Sequence, residues 1–500
     1  DFAEGYNNIG VAFRNQGKWD EAVMAYKKAV SLNSTYAEAY SNMGVALKDQ
    51  DKFDEAIEAY KKAILIKPDY AEAYDNMGVA LKKQGKLDDA IKAYNKSISL
   101  KPTHIKAYYN MGNALSDKFK LEEAIQYYSK SISLNPNYTE AYNNMGLAFL
   151  YQDKFDEAIE AYNKSISLKP DYAEAHHNLS FILLRSGRLK EGLNESEWRW
   201  KNPQFSSMHQ YRNFSQPVWD GKQSLNDKRI MIWCEQGIGD TLNWSSCLPL
   251  VTSRAKHCIL ECQDKLVPLL KRSFPDVEVK PEDRSRDIER DDFDYHLPMG
   301  SLYKHFLDEI IENPKTDAYL VPDPDRVNYW KGRLESLGKG PYIGIGWKSS
   351  VVSHYRSLHY PPISEWSPVL SIPDVTFINL QYKDFADDLA KVKDELGVTI
   401  HNFEDLDQFN NVDDVVALCA ALDMAVTTKL TPMIFSSAVG TPTKIANLRQ
   451  SIWNTILNNP IGPSVDIYNR NTWEPWDNVF RLIKDDILKL KTKQDDKGTE

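Results

Sequence analysis

Residues 71–102 read AEAYDNMGVALKKQGKLDDAIKAYNKSISLKP, and this stretch decides the fold of the first part of the chain. Small residues such as Gly78 and Ala90 let two antiparallel helices approach closely. Pro102 ends the second helix because proline cannot continue the backbone hydrogen-bond ladder. The stretch therefore predicts a tightly packed pair of helices.

The key residues of this stretch return every 34 positions along the first part of the chain. The repeated positions are Tyr6, Tyr40, Tyr74, Tyr108 and Tyr142; Gly10, Gly44, Gly78, Gly112 and Gly146; Ala22, Ala56, Ala90, Ala124 and Ala158; and Tyr26, Tyr60, Tyr94, Tyr128 and Tyr162. This pattern resembles the tetratricopeptide (TPR) repeat and predicts an α-solenoid over residues 1–187. Ser180 and Gly192 replace the glycine and alanine of a sixth, atypical repeat, as expected where a stack is capped.

Each repeat also carries an asparagine at one fixed position, which we expect to face the concave groove. The residues are Asn8, Asn42, Asn76, Asn110, Asn144 and Asn178. A side-chain amide can donate to and accept from a peptide backbone whatever the peptide's sequence. This ladder resembles the one in the TPR superhelix of O-linked N-acetylglucosamine transferases, which implies peptide binding by Asn42, Asn76, Asn110, Asn144 and Asn178. Alternatively, each asparagine bonds to a neighbouring repeat.

Residues 188–226 lose the 34-residue period and are predicted to form a capping helix and a connector. This segment contains Trp198, Trp200 and Trp219 beside Pro203 and Pro217. Aromatic residues beside prolines are more often a packed junction than a binding site, and we predict a junction here.

From Arg229 onwards the pattern changes to strands alternating with helices. RIMIWCEQGIGDTLNW reads as a buried strand, a glycine turn and a helix, and a second α/β set begins at Pro341 with the strand YIGIGW. Two such sets predict parallel sheets in two Rossmann-like halves, at 227–325 and 326–490. Ligands of such sheets bind beyond the carboxyl ends of the strands. Residues 491–500 are predicted to be a disordered tail.

Composition excludes several functional classes. The net charge of −10 and pI of about 5.6 disfavour nucleic acid as the main partner. There is no run of about 20 apolar residues and no signal-peptide pattern, so we expect a cytoplasmic protein without a transmembrane segment. The five cysteines form no CxxC pair and are predicted to be buried, reduced thiols rather than metal ligands. The sequence lacks GxGxxG, P-loop, HExxH and GxSxG motifs.

The segments EQGIGDT at 235–241 and LCAALDMAVTTKLTPMIFSSAVGTPT at 418–443 carry a family resemblance. Together with PVWDGKQSLNDKRIMIW before the first of them, they resemble the glycosyltransferase domain of bacterial TPR proteins, which is similar to glycosyltransferase family 9. The resemblance covers about residues 195–490. It implies a GT-B fold of two Rossmann-like domains around a cleft, with a nucleotide-sugar donor, no catalytic metal and no permanently bound cofactor.

The resemblance also implies roles for individual residues. Asp240 matches a candidate general base, and Gly237 and Gly239 allow a close backbone approach to a ligand. Lys348 and Arg356 match cations that stabilise the departing diphosphate.

Thr428, Lys429 and Thr431 fall in the donor-binding loop of that family. Here Lys429 replaces an aspartate and Ile434 replaces a histidine of many relatives. The alternatives are structural: Asp240 caps its helix, and the lysines and Arg356 are solvated surface charges.

Two main functions and a third possibility follow from these patterns; the third is a transferase that acts on lipid-linked or polysaccharide acceptors, with the repeats serving only assembly. The first is a glycosyltransferase that moves a sugar from a nucleotide sugar to a protein or peptide acceptor held by the TPR groove. The second is a non-catalytic TPR scaffold whose glycosyltransferase domain has degenerated, as the changes at Lys429 and Ile434 indicate. The oligomeric state stays open, although TPR arrays often self-associate.

Overall fold

The computed structural model describes residues 2–208, 211–285, 290–313, 318–349, 360–448, 465–471 and 474–497. The chain divides into two compact units, Asp1–Ile182 and Leu183–Glu500. The division lies five residues before the end predicted for the repeat array.

The first unit is built from antiparallel helix pairs that follow the 34-residue period. Its helices are α1 Phe2–Asn15, α2 Trp19–Leu32, α3 Ala37–Lys48, α4 Phe53–Ile66, α5 Ala71–Lys83, α6 Leu87–Leu100, α7 Ile105–Asp117, α8 Leu121–Leu134, α9 Thr139–Tyr151, α10 Phe155–Leu168 and the start of α11 Ala173–Arg185. Each second helix from α4 to α10 ends two residues before a proline, as predicted. The predicted α-solenoid is confirmed.

A glycine and a tyrosine of the same repeat explain how closely each pair of helices packs. A Cβ atom built on Gly78 would lie 2.5 Å from Cε1 of Tyr94, and the other repeats give 2.5 to 2.8 Å. The ring therefore lies directly on the glycine backbone, and any side chain at the glycine would displace it. Tyr94 is completely buried, so this contact is part of the core of its repeat.

Equivalent tyrosines differ in what their hydroxyl groups contact, which gives a matched test. The buried hydroxyl of Tyr94 has no hydrogen-bond partner in the described part of the chain, whereas that of Tyr128 donates to Oδ1 of Asn113 at 2.8 Å. An intramolecular hydrogen bond contributes about 1 kcal/mol to the free energy of unfolding, whereas a buried polar group without a partner lowers it. We expect Tyr94→Phe to preserve or raise the free energy of unfolding, and Tyr128→Phe to lower it by about 1 kcal/mol. Urea unfolding followed by circular dichroism measures both; equal losses would contradict the assignment.

The predicted capping helix and connector belong to the second unit. The helix α12 (Leu189–Ser196) packs against α17 (Leu302–Glu312), and α13 (Pro203–Met208) follows it. The rings of Trp200 and Trp233 lie 5.4 Å apart, and those of Phe214 and Phe293 lie 5.1 Å apart. These aromatic side chains cover one face of the first sheet, so Trp200 and Phe214 of the connector are packed within the second unit.

The first sheet of the second unit contains four parallel strands in the order β3–β2–β1–β4. The strands are β1 Arg229–Trp233, β2 His257–Cys262, β3 Val277–Pro281 and β4 Tyr295–Pro298. The helices between and after them are α14 Ile238–Ser245, α15 Leu248–Thr252, α16 Val267–Ser273 and α17. Strand β1 is almost wholly buried, as its uninterrupted apolar run predicts.

The second sheet contains six parallel strands in the order β10–β9–β8–β5–β6–β7. The strands are β5 Tyr342–Gly346, β6 Thr376–Asn379, β7 Ile400–His401, β8 Met424–Thr427, β9 Thr443–Leu448 and β10 Val465–Arg470. The helices are α18 Pro324–Glu335, α19 Ser367–Leu370, α20 Ala386–Leu396, α21 Val412–Ala421, α22 Thr431–Ala438 and α23 Asp477–Lys497. Counted from β5, this is the 3-2-1-4-5-6 order of doubly wound nucleotide-binding sheets. The predicted α/β class is confirmed.

Two predicted boundaries differ from the structure. Helix α18 begins at Pro324 and packs against α21, so the boundary placed at 325/326 falls inside its first turn. Helix α23 continues to Lys497, so the prediction of disorder from residue 491 is wrong as far as 497. Within this extension, the ammonium of Lys491 lies 2.8 Å from the carboxylate of Asp374, just before β6.

The cysteines are buried thiols, and no disulfide joins them. Burial raises the pKa of the Cys258, Cys262 and Cys419 thiols to about 12. They therefore stay protonated at neutral pH and are poor nucleophiles.

Candidate functional site

Each sheet has a point where the chain reverses the direction in which it adds strands. In the first sheet β2 and β3 lie on one side of β1 and β4 lies on the other; in the second, β6 and β7 lie on one side of β5 and β8 on the other. Such switch points leave a crevice at the carboxyl ends of the two central strands, where ligands bind. The predicted site residues of each half follow these central strands.

The first crevice is formed by the turn between β1 and α14. Gly237 is the extended N-cap of α14, and a Cβ atom built on it would lie 3.8 Å from Oδ2 of Asp240. The half-buried carboxylate of Asp240 therefore lies near the N-terminus of its own helix, which stabilises negative charge. This place suits both a general base and a capping carboxylate, so the geometry leaves both predictions open.

The second crevice is formed by the loop between β8 and α22. The backbone N–H of Thr428 donates to the carbonyl oxygen of Gly346 at 3.0 Å and ties this loop to the end of β5. Thr428 is completely buried, and its hydroxyl has no hydrogen-bond partner among the described residues. Burial lowers the pKa of the Lys429 ammonium well below its usual range, and the charge of Arg185 lowers it further. A bound anion would return that pKa towards its ordinary value.

Lys348 follows β5 and forms an ion pair with a residue of the same Rossmann-like half. Its ammonium lies 2.6 Å from Oδ2 of Asp388, which also accepts from the indole N–H of Trp347 at 2.7 Å. The backbone N–H of Lys348 donates to Oε1 of Gln381 at 3.1 Å. A donor phosphate would have to compete with Asp388 for this lysine. Arg356 lies outside the described residues, so its predicted role stays a prediction.

The two crevices meet at their helix N-termini. A Cβ atom built on Gly239, the second residue of α14, would lie 3.3 Å from Oγ1 of Thr431, the first residue of α22. The structure therefore brings the Gly237–Asp240 turn next to the Thr428–Thr431 loop. Lys348 follows the neighbouring strand end, because Gly346 and Thr427 are register partners on β5 and β8.

The contact at Gly239 predicts a strong effect of side-chain size. Gly239→Val should push α14 away from Thr431, and overpacking of this kind costs about 1–3 kcal/mol. We expect the variant to lose affinity for any ligand that needs both loops, measured by isothermal titration calorimetry. Gly332→Val in α18 is the matched control, because a side chain there meets open space. Equal behaviour of the two variants would contradict the close approach of the loops.

A buried ion network supports the first crevice and was missed at the level of sequence. Arg199 donates through Nε to Oε1 of Glu235 at 2.8 Å and through Nη1 to Oε1 of Glu197 at 2.7 Å. Its Nη2 also donates to Ser301 at 3.0 Å. Burial raises the pKa of Glu235 to about 7, although Arg199 acts in the opposite direction. Glu235 stands two residues before Gly237, so the network fixes the start of the glycine turn.

The asparagine ladder of the repeats makes hydrogen bonds between neighbouring repeats. The side-chain nitrogen of Asn42 donates to Asn7 at 3.0 Å, that of Asn110 to Asp75 at 2.9 Å, and that of Asn178 to Asn143 at 3.0 Å. Each partner lies 35 residues earlier, as does Tyr109, which accepts from Asn144 at 3.0 Å. Asn76 is half-buried at the equivalent position, while Asn8 is exposed. A bound peptide would have to use the remaining amide hydrogen or oxygen, and peptide binding stays a prediction.

Metal-binding clusters and membrane-spanning helices are both absent from the described residues. No group of three or more His, Cys, Asp or Glu side chains in the described ranges is arranged to hold a metal ion. No helix in the same ranges is long and apolar enough to cross a membrane.

Some solved structures are similar to about a third of this chain. MamA is 30% identical, has a TM-score of 0.31, and covers 33% of this chain and 97% of its own. YrrB, described as a TPR protein with an unusual peptide-binding site, is 23% identical, has a TM-score of 0.30, and covers 34% of this chain and 89% of its own.

Among curated proteins, the chain is similar to Protein FlbA of Caulobacter vibrioides. The two are 37% identical over 273 residues, which is 52% of this chain and 45% of FlbA. The chain thus matches less than half the length of that relative.

Family models cover the repeat region. The model described as TPR repeat matches residues 10–51, 46–85 and 78–118, and the model described as Tetratricopeptide repeat matches 105–138 and 139–172. Residues 10–172 are therefore TPR repeats, which form a scaffold for binding proteins or peptides.

Proposed function

We propose that this protein is a glycosyltransferase that moves a sugar from a nucleotide-sugar donor to a protein acceptor bound by its TPR repeats. One observation carries the proposal: the switch-point loops of two parallel sheets meet at Gly239 and Thr431. A GT-B enzyme needs such a meeting, because one half binds the donor while the other presents the catalytic base.

The second crevice suits the donor diphosphate. The N-terminus of α22 favours an anion, and Thr428, Lys429 and Thr431 lie at that terminus. Lys429 would gain affinity for its proton as the phosphate arrives, because a nearby opposite charge favours the ammonium form. Lys348, released from Asp388, would supply a second cation at the end of β5.

The first crevice suits the acceptor. The carboxylate of Asp240 would take the proton of an acceptor hydroxyl as that oxygen attacks the anomeric carbon of the sugar. The bond from this carbon to the diphosphate breaks, and the diphosphate leaves with the bonding electrons. The cations and helix N-terminus of the second crevice would stabilise the negative charge that develops.

A second candidate is a non-catalytic TPR scaffold that has kept the α/β fold. The ion pair between Lys348 and Asp388 favours it, because a carboxylate already occupies the cation expected to bind phosphate. The two candidates differ in nucleotide binding.

A thermal-shift screen of the full chain against UDP, GDP, ADP, CMP and their common sugar conjugates separates the candidates. A ligand of the folded state at 100 times its Kd stabilises that state by about 2.7 kcal/mol. We expect a clear shift with one nucleotide and a smaller shift in Lys429→Ala. No shift with any compound would reject the transferase and leave the scaffold.

A further inference from the structure

A pair of aromatic residues, the half-buried Tyr382 and the exposed Phe409, lies beyond the carboxyl end of β6, the strand that follows β5 in the six-stranded sheet. In doubly wound sheets the phosphates lie at the turn after the first strand, and the ribose is bound at the end of the second. Here β5 is the first strand and Lys348 follows it, while Tyr382 and Lys383 follow β6. The nucleoside part of a ligand would therefore lie close to Tyr382.

The ring of Tyr382 is stacked against the ring of a second aromatic residue. The ring of Phe409, from the loop between β7 and α21, stacks on Tyr382 with centroids 5.9 Å apart and planes 29° apart. Phe409 is 45% exposed, which is high for a large apolar side chain at the carboxyl edge of a sheet. Aromatic side chains with an accessible ring bind nucleobases by stacking, whatever the base.

Two lysines converge on the same ring. The ammonium of Lys265 lies 4.1 Å and that of Lys383 lies 4.8 Å from the ring centroid of Phe409. Lys265 also donates to the carbonyl oxygen of Phe409 at 2.9 Å, although it comes from the loop after β2 in the first sheet. Neither ammonium forms an ion pair among the described residues, although the charge of Lys265 contributes to lowering the pKa of the nearby Asp407, whose carboxylate accepts from the backbone N–H of Phe409 at 3.0 Å. Two like charges held together in this way favour an anionic ligand.

Hydrogen bonds tie this cluster to the second crevice. Gln381, the residue before Tyr382, accepts from the backbone N–H of Lys348. Gln408, the residue before Phe409, donates to the carbonyl oxygen of Asn379 at 3.1 Å, and its own buried oxygen has no partner in the described part of the chain. The aromatic pair is thus held at a fixed place beside the loop that follows β5.

We propose that Tyr382, Phe409, Lys265 and Lys383 form the nucleoside subsite of the donor, with the base stacked on Phe409 and the lysines on the adjacent phosphate. The proposal rests on the proposed function and specifies how the donor is recognised. On binding, the base takes the place of the two ammonium groups over the ring, and these move to the phosphate oxygens. Because Lys265 comes from the first sheet, the donor is held by both halves at once.

Isothermal titration calorimetry on the full chain with ADP, GDP, UDP and CDP tests this subsite, with inorganic pyrophosphate as the probe that lacks a base. Phe409→Ala should weaken binding of the preferred nucleoside diphosphate about tenfold and leave pyrophosphate binding unchanged. Phe409→Trp should retain the affinity. Lys265→Met and Lys383→Met should each weaken binding of the nucleoside diphosphate and reduce its dependence on salt.

Tyr329→Ala is the matched control, because Tyr329 is 42% exposed and its ring also lies beside two cations, Arg326 and Arg333. This variant should bind the nucleotide as the unmodified protein does. If the unmodified protein binds a nucleoside diphosphate and Phe409→Ala binds it equally well, the subsite is rejected while the transferase stands. If Phe409→Ala weakens the binding of pyrophosphate as much as that of the nucleoside diphosphate, base stacking is also rejected. If the unmodified protein binds no nucleoside diphosphate, both proposals fail together.

Discussion

Asp240→Asn is expected to lower the rate of sugar transfer by about 10²–10⁴-fold, the usual contribution of a general base. The asparagine keeps the size of the side chain and its place in the first turn of α14, but it cannot accept the acceptor's proton. Because the proposed mechanism assigns the donor to the other crevice, we expect kcat to fall while the Kd for the nucleotide stays the same. Transfer is measured with the nucleotide sugar identified by the thermal-shift screen.

Asp264→Asn is the control for this variant, because Asp264 is an exposed carboxylate just after β2 and its loss should leave transfer unchanged. If Asp240 only stabilises the N-terminus of its helix through its charge, Asp240→Asn would reduce the free energy of unfolding by about 0.3–1 kcal/mol and leave kcat within about threefold of the original. That result would remove Asp240 from the mechanism.

Arg199→Ala is expected to lower the free energy of unfolding of the second unit by about 3–5 kcal/mol. The substitution leaves the carboxylate of Glu235 buried without its cation, and this costs far more than the loss of a surface ion pair. Tryptophan fluorescence during urea unfolding measures the change. It reports mainly on the second unit, because every tryptophan of the chain except Trp19 lies there.

The decrease in the free energy of unfolding caused by Arg199→Ala should become larger as pH rises. Burial already raises the pKa of Glu235 to about 7, above its value in the unfolded chain. When the pKa of a carboxyl group is higher in the folded than in the unfolded state, the protein loses stability as pH rises from the unfolded pKa to the folded pKa. The reason is that the folded state holds the proton more tightly over this range. Without Arg199 the folded pKa rises further, so the deficit should be larger at pH 8 than at pH 5.

Arg188→Ala is the matched control, because Arg188 forms a two-point ion pair with Glu191 on the surface, at 2.8 and 2.6 Å. Its loss should cost less than about 1 kcal/mol. A similar loss in both variants, or a larger deficit of Arg199→Ala at pH 5 than at pH 8, would contradict the buried network.

The repeat array could be predicted in detail because its pattern is local and repeated. Each helix pair needs a glycine that packs against a tyrosine 16 residues later, as Gly78 and Tyr94 illustrate. This glycine–tyrosine pair occurs five times in the sequence. The buried strands β1, β5 and β8 could also be found from their continuous apolar runs. Strands β3, β4, β7 and β10 were not predicted. β7 has only two residues, and β10 has a more exposed pattern, so neither carries a clear apolar run.

The partners of the site residues could not be predicted, because they depend on residues far apart in sequence. Nothing near Lys348 indicates that Asp388 pairs with it, and nothing near Glu235 indicates Arg199. The asparagine ladder has the same limit: its 34-residue period fits a peptide clamp and a bond between repeats equally well, and only the structure shows the bonds to residues 35 positions earlier. The resemblance indicated which loops to compare, and the fold brought those loops together.

Hydrogen exchange measured with and without the nucleotide sugar tests whether the loops after β1 and β8 form one ligand site. We expect the donor to slow exchange in 234–245 and 427–438 together, because Gly239 and Thr431 are in contact. Protection of neither segment, or of the repeats alone, would contradict it.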